Sequence, residues 1–208
     1  AKILNFSISS LNQSPSSCFG IMEDVAEQHS HTYKVVEYVG AEHEINSADN
    51  HLNAFLPDTA PDKTTISTYK AYLDETEYVT EVHENNGVVS FNHPFGASRV
   101  SNTSQYTLID SFAMAYIAER AFYSDIIEVG YTARGGANFD SHCKLWDKLT
   151  ANKIFLYGNA TSDLHGGNWF TDKNRMVTWV WSQDSSTQKI LNSLKSGLDR
   201  KSTRLNSS

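Results

Sequence analysis

Acids and histidines gather at a few points of this 208-residue chain. Gly40-Ala41-Glu42-His43-Glu44 follows the apolar run Lys34–Val39, and Asn92-His93-Pro94-Phe95-Gly96 follows Gly87–Phe91. A segment holding Asp163 and His165 follows Lys153–Tyr157, and His51 opens the run His51–Leu56. Imidazole nitrogen and carboxylate oxygen are the donors that divalent Zn, Mn and Fe accept. In extended chain, residues two apart return to the same face, so Asp163 and His165 can chelate one ion. A lone His after a strand is more often a turn residue or a satisfied core group. Four such groups on one scaffold point instead to a metal centre built from Glu42, His51, His93, Asp163 and His165.

Such a centre needs elements that bring strand ends together. Strands rich in Val, Ile, Phe and Tyr are predicted at Lys34–Val39, His51–Leu56, Gly87–Phe91, Asp125–Val129, Lys153–Tyr157 and Met176–Trp181. Helices are predicted at Phe19–Glu27, Ser67–Asn85, Leu108–Tyr123, Asn138–Ala151 and Ser186–Ser196. Asn85-Asn86-Gly87 is a helix stop. This alternation predicts a mostly parallel α/β sheet, open or barrel-shaped, with active residues at the C-terminal strand ends. No repeat or linker divides the chain, so a single domain is expected.

Composition narrows the function classes. The chain is 39% hydrophobic and 12% aromatic, enough to fold. A net charge of −7 argues against a nucleic-acid binder or an anionic-membrane binder, both of which need a basic face. No apolar run approaches the roughly 18 residues of a transmembrane helix. The opening Ala1-Lys2-Ile3-Leu4-Asn5-Phe6 is no signal peptide, which slightly favours a soluble, cytoplasmic protein. Cys18 and Cys143 form no disulfide framework and are expected to be ordinary reduced residues. Residues 200–208 resemble translated adapter or vector sequence, with a disordered tail as the alternative.

Several motifs together resemble a known family. His93-Pro94-Phe95-Gly96 and Ser162-Asp163-Leu164-His165-Gly166, each after an apolar strand, resemble signature motifs of the PHP (polymerase and histidinol phosphatase) superfamily. Gly40-Ala41-Glu42 and His51-Leu52-Asn53-Ala54 resemble two more, in the family's order, and Asn174–Leu198 resembles the end of its carbaryl-hydrolase-related subgroup. The likeness covers residues 1–198. It implies a distorted (β/α)7 barrel with two or three divalent metals, acting on phosphoesters. By resemblance, Glu42 bridges two metals, His51 and His93 complete one metal's ligands, Asp163 binds a second and His165 a third. Two departures stand out. The family's opening His-x-His motif is absent, so the domain, residues 1–199, is expected to lack its first strand and to begin after a truncated N-terminus. Leu11 stands where a family His ligand belongs, which implies about one tightly held ion.

The expected activity is a metal-dependent phosphoesterase in which the metal lowers the pKa of the attacking water, with Glu42, Asp163 and His165 as catalytic residues. No Ser-His-Asp or nucleophile-elbow pattern offers a protein nucleophile. The alternatives are a degenerate PHP-like domain that binds metal or ligand without turnover, and an amide or carbamate hydrolase. The expected partner is a small phosphoester, which Arg134, followed by Gly135 and Gly136, could clamp. His29 and His31 read as helix-end residues, and His83 and His142 as surface groups. His43 should face away from Glu42. Cys143 should not couple to His142, because helix neighbours do not face each other. Trp169, Phe170, Trp179 and Trp181 read as core or rim packing.

Overall fold

A computed structural model describes residues 41–44, 51–59, 74–95, 105–131, 133–134, 137–161, 163 and 176–197. The expected strand Lys34–Val39, the helix Phe19–Glu27, and residues 67–73 of the second helix lie outside them. So do Leu11, Cys18, His29, His31, His165, Trp169 and Phe170.

The strands are β1 (Ala41–Glu44), β2 (His51–Phe55), β3 (Val88–Asn92), β4 (Ile126–Glu128), β5 (Ala133–Arg134), β6 (Ala137–Asn138) and β7 (Tyr157–Asn159). The helices are α1 (Glu75–Glu84), α2 (Gln105–Ala118), α3 (Phe139–Ala151) and α4 (Thr187–Lys195). The main sheet has the order β1-β2-β3-β4-β7, and β5 and β6 form a separate ribbon. β4 is parallel to β3 and to β7, but β2 is antiparallel to both β1 and β3. The expectation of a mostly parallel sheet therefore holds for only half of the pairings. Residues 45–50 alone separate β1 from β2, too few for the crossover that a parallel pair requires. The described strands make an open sheet rather than a closed barrel.

The two faces differ in kind. Leu52, Ala54, Val89, Phe91 and Ile127 project from one face into the main core, against Tyr78 and Val82 of α1, Tyr116 of α2 and Leu145 of α3. On the other face Val88 and Ile126 meet Ile190, Leu191 and Leu194 of α4. Period-two alternation puts His51, Asn53, Ser90, Asn92, Glu128 and Asn159 on that second face as well. It is apolar where α4 covers it and polar toward one edge.

Local chemistry sets the helix ends. The Asp74 side chain caps α1 by accepting from the Glu77 N–H at 2.8 Å, and Asn138 caps α3 by accepting from the Ser141 N–H at 3.0 Å. α1 stops as expected at Asn85-Asn86-Gly87. Asn86 takes φ 59°, and the Gly87 N–H returns to the Val82 carbonyl at 2.9 Å. α3 ends the same way through Lys153 (φ 63°) and an Ile154 N–H to Leu149 carbonyl bond of 3.0 Å. That closing turn occupies the start of the strand expected at Lys153–Tyr157, so β7 begins only at Tyr157. α2 stops five residues short of Tyr123. A left-handed turn follows over Arg120–Tyr123 (φ 48–60°), and it buries Ala121 and Phe122. The alternation of Met176–Trp181 reads as a strand, yet only a single bridge forms, at Val180. Trp179 and Trp181 are 59% and 66% exposed and are not core. Among the described residues no helix is long and apolar enough to cross a membrane.

Candidate metal and hydrolase site

Strand direction assembles the site. Because β2 runs against β3, its first residue lies beside the last residue of β3, His51 opposite Asn92. Because β4 and β7 run with β3, their C-terminal ends reach the same edge, Glu128 beside Asn159. A strand start and three strand ends thus share one polar rim. β1 extends it, with Glu44 opposite His51 and Glu42 one step deeper, opposite Asn53. His43 pairs with Leu52.

His93 follows β3 directly, at a backbone φ of 20° that L-residues seldom adopt. Its Nε2 is 2.8 Å from Nδ1 of His51, and the two rings meet edge to face. Behind it lies Glu128, whose Oε2 accepts the His93 backbone N–H at 2.8 Å and sits 3.3 Å from His93 Nδ1. The Tyr131 hydroxyl donates to the same oxygen at 2.7 Å, and the Thr161 hydroxyl donates to Oε1 at 2.8 Å. His93 is 1% exposed and Glu128 2%. Burial alone would raise the Glu128 pKa. The hydrogen bonds from His93, with the Tyr131 bond, outweigh it and hold the carboxyl below its ordinary value. Tyr131 is pushed well above the usual tyrosine value, first by burial and then by the charge of Glu128. At neutral pH Glu128 is therefore an anion and Tyr131 a phenol.

Of the residues expected to ligate, His51 and His93 come together. Asp163, at φ 46°, lies two residues beyond Thr161, and its carboxylate adds to the upward push on Tyr131. Glu42 is described only by its strand position, Arg134 only by its place in β5, and His165 lies outside the described residues. Glu128, Tyr131 and Thr161 escaped the sequence reading. The one local signal was an acid at the end of the predicted strand Asp125–Val129.

His142 corrects an expectation: it is fully buried, not on the surface. Helical spacing aligns it with Leu145 and Leu149 on the inward face of α3. Its Nδ1–H donates to the Asn138 carbonyl at 2.8 Å, while Nε2 has no partner between Phe95 and Tyr131. Burial lowers its pKa to about 4. The neighbouring Cys143 is a free thiol whose pKa is raised by burial and by Asp147 and Asp140, so it is no activated nucleophile. His83 bonds Asp125 at 2.8 Å, far from the rim.

His51 Nδ1 and His93 Nε2 are atoms of the type that divalent metals accept as donors. Ligands about 2.05 Å from an ion stand roughly 2.9 Å apart in an octahedron and 3.3 Å apart in a tetrahedron. The observed 2.8 Å falls just below that range. Among the described residues no three His, Cys, Asp or Glu side chains are arranged to hold an ion.

No protein-family model and no curated protein matches the chain. Among solved structures it is similar to a two-domain protein from Bacteroides vulgatus containing a predicted PHP-like metal-dependent phosphoesterase. The TM-score is 0.57 at 18% identity, over 95% of this chain and 54% of the other. It also matches a candidate metal-dependent phosphoesterase from Bifidobacterium adolescentis, with TM-score 0.46 and 12% identity over 79% and 87% of the two chains. The first likeness is one of fold: this mixed α/β chain shares its architecture with a PHP-like structure. The chain spans about half the length of that protein.

Proposed function

We propose that the chain is a metal-dependent hydrolase of the phosphoesterase type, with His51 and His93 as the core of its metal centre. The observation that carries this reading is the approach of His51 Nδ1 to His93 Nε2 at the polar rim of the sheet. In this reading Glu42, Asp163 and His165 complete the ligand set, and residues 1–199 act as one domain. The PHP-like fold of the solved neighbour supports the reading. A bound Zn, Mn or Fe ion supplies an acidified water and neutralises charge on a phosphoryl group. The protein holds His93 in a buried setting behind Glu128. Arg134 is the proposed clamp for the phosphate of a small substrate.

Elemental analysis, with hydrolysis of an aryl phosphate in added Mn or Zn, tests the reading. The expected result is about one tightly held ion per chain, lost in His93→Ala and kept in His83→Ala. Hydrolysis is expected to fall by at least about 100-fold in His93→Ala. Tight metal binding with no turnover of phosphoesters would favour the degenerate domain. Turnover of amides or carbamates alone would favour that hydrolase class. Full metal binding by His93→Ala would overturn the site.

A further inference from the structure

We propose that Glu128 is the positioning residue of this site: it holds the His93 ring in the Nδ1–H tautomer and so presents Nε2 to His51 as an acceptor. This rests on the reading of His51 and His93 as a metal pair and names the group that sets their donor atoms. A neutral imidazole carries one ring proton, and the partner of each nitrogen decides which one bears it. His93 is 1% exposed, so its protein partners decide. Oε2 already accepts the Tyr131 hydroxyl and the His93 backbone N–H, so its 3.3 Å contact with Nδ1 is favourable only if Nδ1 carries the proton. Nε2 is then the acceptor, and the His51 Nδ1–H donates to it at 2.8 Å. A divalent cation held by both rings would bind His51 at Nδ1, and a neutral His51 would then carry its ring proton on Nε2.

The other contacts of Glu128 agree. The Tyr131 hydroxyl, the Thr161 hydroxyl and the His93 backbone N–H all donate to it, so every neighbour treats it as an acceptor. One oxygen, Oε2, holds both the ring of His93 and its backbone N–H, at the position where φ is 20°. A carboxylate behind a ligating histidine recurs in metal sites because it orients the ring and raises its basicity.

The test is nitrogen NMR of the metal-free full chain labelled with 15N-histidine, joined to a calorimetric zinc titration. In the wild type His93 is expected to be protonated at Nδ1. Glu128→Gln keeps an acceptor oxygen in place, so it should keep that tautomer and weaken zinc binding by less than about tenfold. Glu128→Ala should release the tautomer and weaken zinc binding roughly 10–100-fold. Tyr131→Phe removes a donor to Glu128 without touching His93, and should leave the tautomer unchanged. A wild-type His93 protonated at Nε2, or a Glu128→Ala that keeps Nδ1–H, overturns the proposal. The wild-type spectrum is decisive even if Glu128→Ala does not fold. An Nδ1–H spectrum from a protein that binds no zinc would remove the metal reading and leave the tautomer assignment standing.

Discussion

His142 shows what a buried titratable group does to the stability of this protein. Its ring is enclosed by Phe95 and Tyr131, and its Nε2 has no partner. In the folded chain the ring stays neutral down to about pH 4, whereas the unfolded chain takes up a proton near 6.5. The unfolded state thus binds more protons between those values, and stability falls as pH falls through that window. The loss should be on the order of 3 kcal/mol by pH 4. His142→Phe keeps the ring volume and cannot be protonated. Urea unfolding at pH 7, 6, 5 and 4 should show the wild type losing more stability than the variant, after a deficit of about 1 kcal/mol in the variant at pH 7 from the lost bond to Asn138. Parallel curves for the two proteins would rule out His142 as the acid-sensitive group.

Asp125 joins three elements and has no place in the chemistry. It precedes β4, and its Oδ2 accepts from His83 of α1 at 2.8 Å and from the Val89 N–H of β3 at 2.9 Å. Its Oδ1 lies 3.3 Å from Lys195 at the end of α4. Burial would raise its pKa. The His83 and Val89 hydrogen bonds, with the charges of His83 and Lys195, draw it down further, and the net shift is downward. The stabilisation is therefore present above the ordinary aspartate value of 3.8 and is lost as pH falls through the lower folded value. Asp125→Asn should lower stability by about 1–3 kcal/mol at neutral pH, with the gap to wild type narrowing below pH 4. α4 contributes by apolar burial instead. Ile190, packed with Val88, Ile126 and Leu194, should cost about 2–4 kcal/mol when cut to Ala, at any pH. Denaturant midpoints of the two variants across pH separate the two kinds of attachment.

A metal at the rim would link β2 to the end of β3, since His51 opens β2 and His93 follows β3. Binding to the folded state alone raises its stability by about 2.7 kcal/mol when free metal is 100 times the dissociation constant. A thermal scan with and without zinc should show a rise of several degrees in the wild type and none in His93→Ala. An equal rise in both would move the metal to another part of the chain.

How much of this was legible in advance depends on how local the cause is. Helix α3 with its Asn138 cap, the stop of α1 at Asn85-Asn86-Gly87, and the runs that became β2, β3 and β4 all follow from neighbouring side chains and backbone hydrogen bonds. His51 and His93 could be picked out because donor-bearing side chains stand at the ends of such runs. The same local reading misplaced β7, extended α2 into the left-handed turn at Arg120–Tyr123, and put His142 on the surface. Glu128 was one acid near the end of the predicted strand Asp125–Val129, with nothing local to single it out. It became the partner of His93 because β4 lies parallel beside β3 in a register that sets its last residue level with Asn92. His51 reached the same rim because β2 runs the other way. Strand order, direction and register are chosen by burying whole sheet faces against helices between residues some 35–130 positions apart. No local window of the chain holds that choice, so the donor types could be read from the sequence and their convergence only from the folded chain.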